Sequence, residues 1–172
     1  NPDIVYGHQN FIDENSKIIK TNTSIIYKKE FILNDLFIPP SSGLCFKASI
    51  LKNNLFDIDH HYNMDTEWFL RYEGKLKSRV IPYATSGFRV WSGSKTFSLS
   101  NAFSNKLENN PQKDEITKER IILYEKFYAP YHEALSKKFN FYKFKLVLIY
   151  LDFILNKLKM KLRFILISKF ID

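Results

Sequence analysis

The first forty residues alternate short apolar runs with polar turns, a pattern typical of strands and short helices. The apolar run that begins at Ile4 predicts a buried strand, and residues 13–17 predict a polar turn before a second strand-like stretch over 17–27. Helical spacing follows over 28–36 and stops before a Pro-Pro pair, which cannot continue a helix. This mixture of strands and helices predicts an α/β fold.

The next fifty residues are richer in loops. The spacing predicts a helical turn over 47–53, a polar histidine-containing loop over 57–64 and a helix over 65–73. Asp65 stands where a capping residue belongs, and Gly74 stands where such a helix ends. Two short strands, 79–82 and 85–91, are predicted around a Pro-Tyr turn, and 92–94 is predicted to open another helix.

The last third of the chain is predicted to be helical. Asn109-Asn110-Pro111 is the clearest boundary, so we expect one unit over 1–110 and a helical extension over 111–172. Two helical stretches are predicted in the extension, 113–137 and 142–171, and Pro130 is expected to break or kink the first. The second has a wide apolar face and a polar stripe, which consists of Lys145, Asp152, Asn156, Lys159 and Arg163.

Composition excludes two classes of protein. Of the 172 residues 45% are hydrophobic and 16% are aromatic, enough to bury a core, so general disorder is excluded. The single cysteine, Cys45, has no partner in the chain, which excludes a disulfide scaffold and favours a reducing compartment such as the cytoplasm. The chain begins with Asn rather than Met, and we expect it to be a piece of a longer protein.

The net charge of +8 is unevenly placed. Residues 1–110 carry 13 basic and 11 acidic side chains, whereas 137–171 carry nine basic residues and one acid, Asp152. That basic segment is also the most apolar one, and Asp152 interrupts it too early for a membrane-spanning helix. We therefore expect it to lie on an anionic membrane surface, with the protein cytoplasmic and peripheral to the inner face of the cell membrane.

The residues expected to contact the membrane are Lys145, Phe153, Lys157, Lys159, Lys161, Arg163 and Phe164. The alternative is that the same apolar face packs on the core or on a second subunit. A nucleic-acid partner is not expected, because Lys outnumbers Arg 21 to 5 and base-reading surfaces favour Arg.

Four segments, in order over residues 1–107, carry a resemblance to a known family. They are NPDIVYGHQNFIDENSKII, IPPSSGLCFKASIL, LFDIDHHYNMDTEWFLR and FRVWSGSKTFS. Together they resemble the acceptor side of family 2 glycosyltransferases, inverting enzymes of the GT-A fold that build bacterial surface polysaccharides. The resemblance implies a partial GT-A (Rossmann-like) fold that lacks its N-terminal nucleotide-binding strands. The activity it implies is transfer of a sugar from a nucleotide sugar to a glycan or lipid-linked acceptor.

The resemblance also implies roles for particular residues. Asp65 matches the general base that takes the proton from the acceptor hydroxyl, and a helix N-terminus favours its ionised form. The alternative is that Asp65 only caps its helix. Arg89 and Lys95 are candidate partners of the donor diphosphate, or else they pair within the fold. The full set of candidate substrate-binding residues is Ser41, Ser42, Met64, Arg89, Trp91 and Lys95.

The family implies a divalent cation, Mg²⁺ or Mn²⁺, held by an Asp-x-Asp motif that would precede residue 1. Asp57-Ile58-Asp59 has that spacing, but it lies where the family has a Phe-Asp-Glu loop, so it is interpreted as coincidence. Trp91 replaces a histidine that binds the metal in many members, and His8 replaces the commoner acid after Tyr-Gly. Because the nucleotide-binding strands and the Asp-x-Asp motif of the family would precede residue 1, we expect these 172 residues by themselves to be inactive and not to bind a sugar nucleotide.

Other candidate sites are less favoured than the glycosyltransferase site that the resemblance implies. A metal site from Asp57, His60, His61 and Asp65 is not favoured, because adjacent histidines on an extended loop point apart. Glu67 is expected to be a charge at the helix start, whereas Trp68 and Arg71 are expected to pack and pair within the fold. The alternative function is a non-catalytic basic module that binds an anionic membrane or nucleic acid through residues 137–171.

Overall fold

The structure is a computed structural model and describes residues 1–72, 75–91, 111–138 and 142–168. For 111–114, 138, 142–143 and 164–168 it describes the backbone alone. The predicted site residue Lys95, the helix predicted to open at 92–94 and the side chain of Phe164 lie outside the described parts.

Among the described residues, four strands form one mixed sheet around β1, Ile4–Ile12. β2 (Ile18–Asn22) is antiparallel to the second half of β1, and β3 (Cys45–Phe46) is antiparallel to its first two residues. β4 (Ser78–Arg89) runs parallel to β1 over its whole length. The fold is therefore mixed α/β, as the sequence pattern predicted, with the longest strand pair parallel.

β4 is a single strand, and the prediction of two strands around a Pro-Tyr turn was wrong. Tyr6 pairs with Val80, and His8 pairs with Ala84. Three residues of β4 therefore lie opposite a single residue of β1, Gly7. We call these residues, 81–83, the bulged segment. Pro82 lacks a backbone N–H and cannot continue a regular ladder, and the strand accommodates it by bulging instead of reversing.

Within the described part of residues 1–91, three short helices pack beside the sheet. They are α1 (Lys29–Leu33), α2 (Ala48–Asn53) and α3 (Met64–Arg71), and Ser41–Gly43 forms a turn of 3₁₀ helix. The core between β1, α1 and α3 contains Ile4, Tyr6, Ile32, Leu33, Trp68, Phe69 and Leu70. The indole N–H of Trp68 donates to the Asn54 carbonyl at 2.6 Å, so its polar group is satisfied within the core.

The extension begins with α4 (Pro111–Leu123), continues through a π-helical turn (Tyr124–Tyr128) and ends its first part with α5 (Ala129–Lys138). Pro130 was expected to break or kink this helix. The helix does not break there: it continues past Pro130, and the wider π-helical turn lies directly before it, where a proline ring crowds the carbonyl four residues earlier.

Of the helices that the structure describes, α6, Tyr142–Ser168, is the longest, and it packs on α1. Ile149 and Met160 are buried beside Phe31, the Phe153 ring centroid lies 5.7 Å from that of Phe31, and Asp152 forms an ion pair with Lys28. The predicted polar stripe is therefore partly buried: Asp152 and Asn156 are half-exposed on the side that meets the core.

The other side of α6 is apolar and exposed. Its exposed residues are Phe144, Val147, Leu148, Tyr150, Leu151, Leu155, Leu158 and Leu162. Across the described residues, no helix combines the length and the apolar character that crossing a membrane requires.

Candidate functional site

Asp65, the predicted general base, is the second residue of α3 and is half-buried. Its Oδ1 atom accepts hydrogen bonds from the backbone N–H of Thr66 at 2.8 Å and from the Thr66 hydroxyl at 3.4 Å. Among the described residues no group donates a hydrogen bond to Oδ2. One carboxylate oxygen is thus bound by Thr66 at the start of the helix.

The start of α3 is not capped by its own N-cap residue, because Asn63 makes no side-chain cap hydrogen bond there. Instead, Glu119 of α4 binds the preceding residues. Its Oε1 atom accepts the backbone N–H of His61 at 2.7 Å and that of Tyr62 at 3.1 Å. Its Oε2 atom accepts from the backbone N–H groups of Tyr62 and Asn63 and from the Asn63 side chain, at 2.9–3.0 Å.

The environment of Glu119 stabilises its charged form. Burial raises the pKa of this carboxyl, but the hydrogen bonds from the Asn63 side chain and from the three backbone N–H groups outweigh it. The net result is a pKa below the ordinary value, so Glu119 is ionised at neutral pH. Sequence reasoning missed this residue, although Glu119 falls on the same helical face as the buried Ile116 and Leu123.

Glu67 is fully buried, so the expectation of a charge at the helix start was incomplete. Arg71 Nε donates to both carboxylate oxygens of Glu67, at 2.8 and 3.1 Å, and Lys126 Nζ lies 3.7 Å from Oε1. The i,i+4 spacing of Glu67 and Arg71 was the available sequence signal. Arg71 therefore pairs within the fold, as expected, and its Nη2 also donates to the Leu55 carbonyl.

The potential metal ligands that lie close together in the structure are not the ones considered from the sequence. Asp57, His60 and Glu67 each offer a ligand atom, and these atoms lie within 4.8 Å of one another. Within the described residues, His61 and Asp65 are not part of this set. Glu67 is already neutralised by Arg71 and Lys126, so a divalent cation would compete with two resident positive charges.

Asp57-Ile58-Asp59 does not have the arrangement of an Asp-x-Asp metal site. Asp57 Oδ1 accepts the backbone N–H of Asp59 at 3.0 Å, which is a local turn, and the Asp59 side chain is exposed. Asp57-Ile58-Asp59 is therefore a loop turn and not the Asp-x-Asp site that the resemblance implies.

The other predicted substrate-binding residues fall in two places. Ser41 and Ser42 are exposed beside the middle of the sheet, where Gln9 Nε2 donates to Ser42 Oγ at 2.8 Å. Arg89 ends β4 and holds the turn between β1 and β2. Its Nη1 donates to the carbonyls of Asp13 and Glu14, and its Nη2 donates to Ser16 Oγ, at 2.8–2.9 Å.

Met64 and Trp91 are both exposed, Met64 next to Asp65 and Trp91 beyond the end of β4. No hydrogen bond or ion pair among the described residues joins the start of α3 to Ser41 and Ser42 or to Arg89. The structure therefore places Met64 beside Asp65 at the start of α3 and leaves Ser41, Ser42, Arg89 and Trp91 at the sheet.

The predicted membrane-contact residues also divide. Lys157, Lys159, Lys161 and Arg163 are exposed on α6, whereas Lys145 is half-buried. Phe153 lies against Phe31 in the core, so it is not on the exposed face where it was expected.

Comparison with known proteins adds no relative: no protein-family model, curated protein or solved structure matches the chain.

Proposed function

We propose that this chain forms the acceptor side of an inverting family 2 glycosyltransferase of the GT-A type, with Asp65 as the general base. Its products would be cell-surface polysaccharides, built by transfer from a nucleotide sugar to a glycan or lipid-linked acceptor. The mixed α/β fold and the parallel pairing of β1 and β4 are compatible with part of a Rossmann-like sheet.

The observation that carries the proposal is the position of the Asp65 carboxylate. Oδ1 is held by Thr66, and Oδ2 receives no hydrogen bond from the described residues. In an inverting transfer, the acceptor oxygen attacks the anomeric carbon while Oδ2 takes the hydroxyl proton, and the nucleoside diphosphate leaves with the electrons of the broken bond.

The test is Asp65→Asn in the intact protein. We expect turnover to fall by about 10²–10⁴, the usual contribution of a general base, because an amide cannot accept the proton. The amide oxygen introduced by this substitution can still accept the Thr66 N–H, so the unfolding temperature and the donor affinity should stay close to those of the wild type.

Asp59→Asn is the matched control, since Asp59 is exposed and the same chemical change is made six residues away. It should retain turnover. Near-normal transfer by Asp65→Asn, measured as sugar incorporated into the acceptor, would contradict the role of Asp65.

A second function is supported by α6: association with an anionic membrane. Eight apolar side chains on one side of this helix are exposed, and Lys157, Lys159, Lys161 and Arg163 are exposed beside them. An apolar face with flanking cations suits an interface between anionic headgroups and acyl chains, whereas like charges oppose pairing with a second copy. Sedimentation with vesicles that contain anionic lipid tests this surface.

A further inference from the structure

The loop before α3 is held by a side chain that lies 56 positions further along the chain. Glu119 is only 5% exposed, yet it is ionised, and a buried carboxylate is stable only when its oxygens accept hydrogen bonds. Both oxygens do so here, and the donors include three consecutive backbone N–H groups, 61–63. We call this set of hydrogen bonds the Glu119 clamp.

The Glu119 clamp ends two residues before Asp65. The first hydrogen bond of the helix runs from the backbone N–H of Glu67 to the carbonyl of Asn63, at 2.8 Å. Asn63, whose N–H and side chain both donate to Glu119, is therefore the residue from which α3 begins. Any shift of Asn63 moves the first turn of the helix and, with it, the Asp65 carboxylate.

A second contact follows Asp65 by two residues. Lys126, in the π-helical turn, lies 3.7 Å from the buried Glu67 carboxylate. The extension thus contacts the segment on both sides of Asp65, through an anion before it and a cation after it.

We propose that Glu119 is a positioning residue for Asp65, so that the helical extension forms part of the acceptor site. The inference rests on the proposed role of Asp65 as the base. A displacement of about 1 Å from the productive geometry can cost roughly 10²-fold in rate. Loss of the Glu119 clamp should therefore lower turnover about tenfold to a hundredfold, with little change in the affinity for the donor.

The Glu119 clamp itself is tested by amide hydrogen exchange, which needs no activity. In Glu119→Ala the N–H groups of His61, Tyr62 and Asn63 should exchange at least about tenfold faster, because each loses its acceptor. Glu119→Gln keeps one carbonyl oxygen and should lie between wild type and Ala. Glu115→Gln removes a charge from an exposed position of the same helix, and exchange should then stay at the wild-type rate.

Kinetics of the intact protein test the positioning role. Glu119→Gln should lower kcat about tenfold or more, while KM for the donor stays within about twofold. Leu135→Ala, a core substitution in α5, serves as a reference of reduced stability and should keep kcat near the wild-type value. An unchanged kcat in Glu119→Gln, or an equal loss in Leu135→Ala, would overturn the proposal.

The two proposals fail in different ways. Full turnover by Asp65→Asn would contradict the role of Asp65 as the general base, whatever the hydrogen-exchange rates at 61–63 show. Unchanged hydrogen-exchange rates at 61–63 in Glu119→Ala would contradict the Glu119 clamp, and Asp65 could still be the general base.

Discussion

Gly7 is the residue of β1 that lies opposite the bulged segment of β4. A Cβ atom at this position would lie 2.5 Å from the Tyr83 carbonyl oxygen and 2.4 Å from Thr85 Cγ2. The backbone N–H of Gly7 also donates to Thr85 Oγ1 at 2.9 Å. Close packing against β4 therefore explains why the residue after Tyr6 is a glycine, independently of the family resemblance.

Gly7→Ala should lower the free energy of unfolding by about 1–3 kcal/mol, because a backbone oxygen cannot move aside as a flexible side chain can. Chemical denaturation measures the change. Gly87→Ala is the matched control on β4, since its added Cβ comes no closer than 3.4 Å to Ile12. Equal stability of Gly7→Ala and the wild type would contradict the described register of β1 and β4.

At the scale of elements, α6 combines two surfaces that its sequence did not separate. Its inner side packs on Phe31 and pairs Asp152 with Lys28, while its outer side presents leucines to solvent. The inner side therefore packs on the core, which was one of the two interpretations, while the outer side is exposed and its binding to a membrane stays a prediction.

The outer side of α6 should govern binding to vesicles of phosphatidylcholine and phosphatidylglycerol. Replacing Lys157, Lys159 and Lys161 by Gln should weaken partitioning by about 3 kcal/mol, at ~1 kcal/mol for each cation near an anionic surface. Leu151, Leu155 and Leu158 replaced by Ser should weaken binding as well, through the loss of apolar contact. Sedimentation of protein with vesicles measures both effects.

Ile58→Ser is the control for the leucine variant, because Ile58 is 94% exposed and lies outside α6. It should bind vesicles like the wild type. Unchanged sedimentation of both α6 variants would refute membrane association. A dimer in analytical ultracentrifugation that the leucine variant abolishes would instead identify a second copy as the partner.

At the scale of the whole molecule, buried polar groups join parts that are distant in sequence. His8 is fully buried, and its Nδ1 atom accepts the backbone N–H of Ser24 at 3.1 Å. Burial lowers the pKa of His8 below its ordinary value of 6.5, because the charged imidazolium is disfavoured away from water. The unfolded chain therefore binds a proton at His8 before the folded protein does.

The free energy of unfolding should consequently fall as the pH drops below about 6.5, and the contribution of His8 should level off below its folded pKa. His8→Asn keeps an acceptor near the Nδ1 position and does not titrate, so its stability should depend less on pH between about 7 and 5. His61→Asn, at an exposed residue, is the control. If the free energy of unfolding, measured by urea denaturation, depends on pH identically in His8→Asn and the wild type, His8 is not the origin of this pH dependence.

Local patterns in the sequence determined much of the fold. The strand at Ile4, the helix around Trp68, the helical extension and the concentration of charge in 137–171 follow from periodicity, proline positions and composition. The role proposed for Asp65 rests on the resemblance of the segment around it, and in the structure Asp65 is the second residue of α3. Each of these depends on residues that are close neighbours in the chain.

Only the tertiary structure decided how distant residues meet. The Glu119 clamp joins positions 56 apart, the Lys28–Asp152 ion pair joins positions 124 apart, and β4 remains one strand because β1 pairs along it. The sequence of a helix does not show whether one of its carboxylates faces solvent or a loop of another element. What it faces is set by the packing of the whole chain, because burial and hydrogen-bond partners belong to the folded surface and not to sequence neighbours.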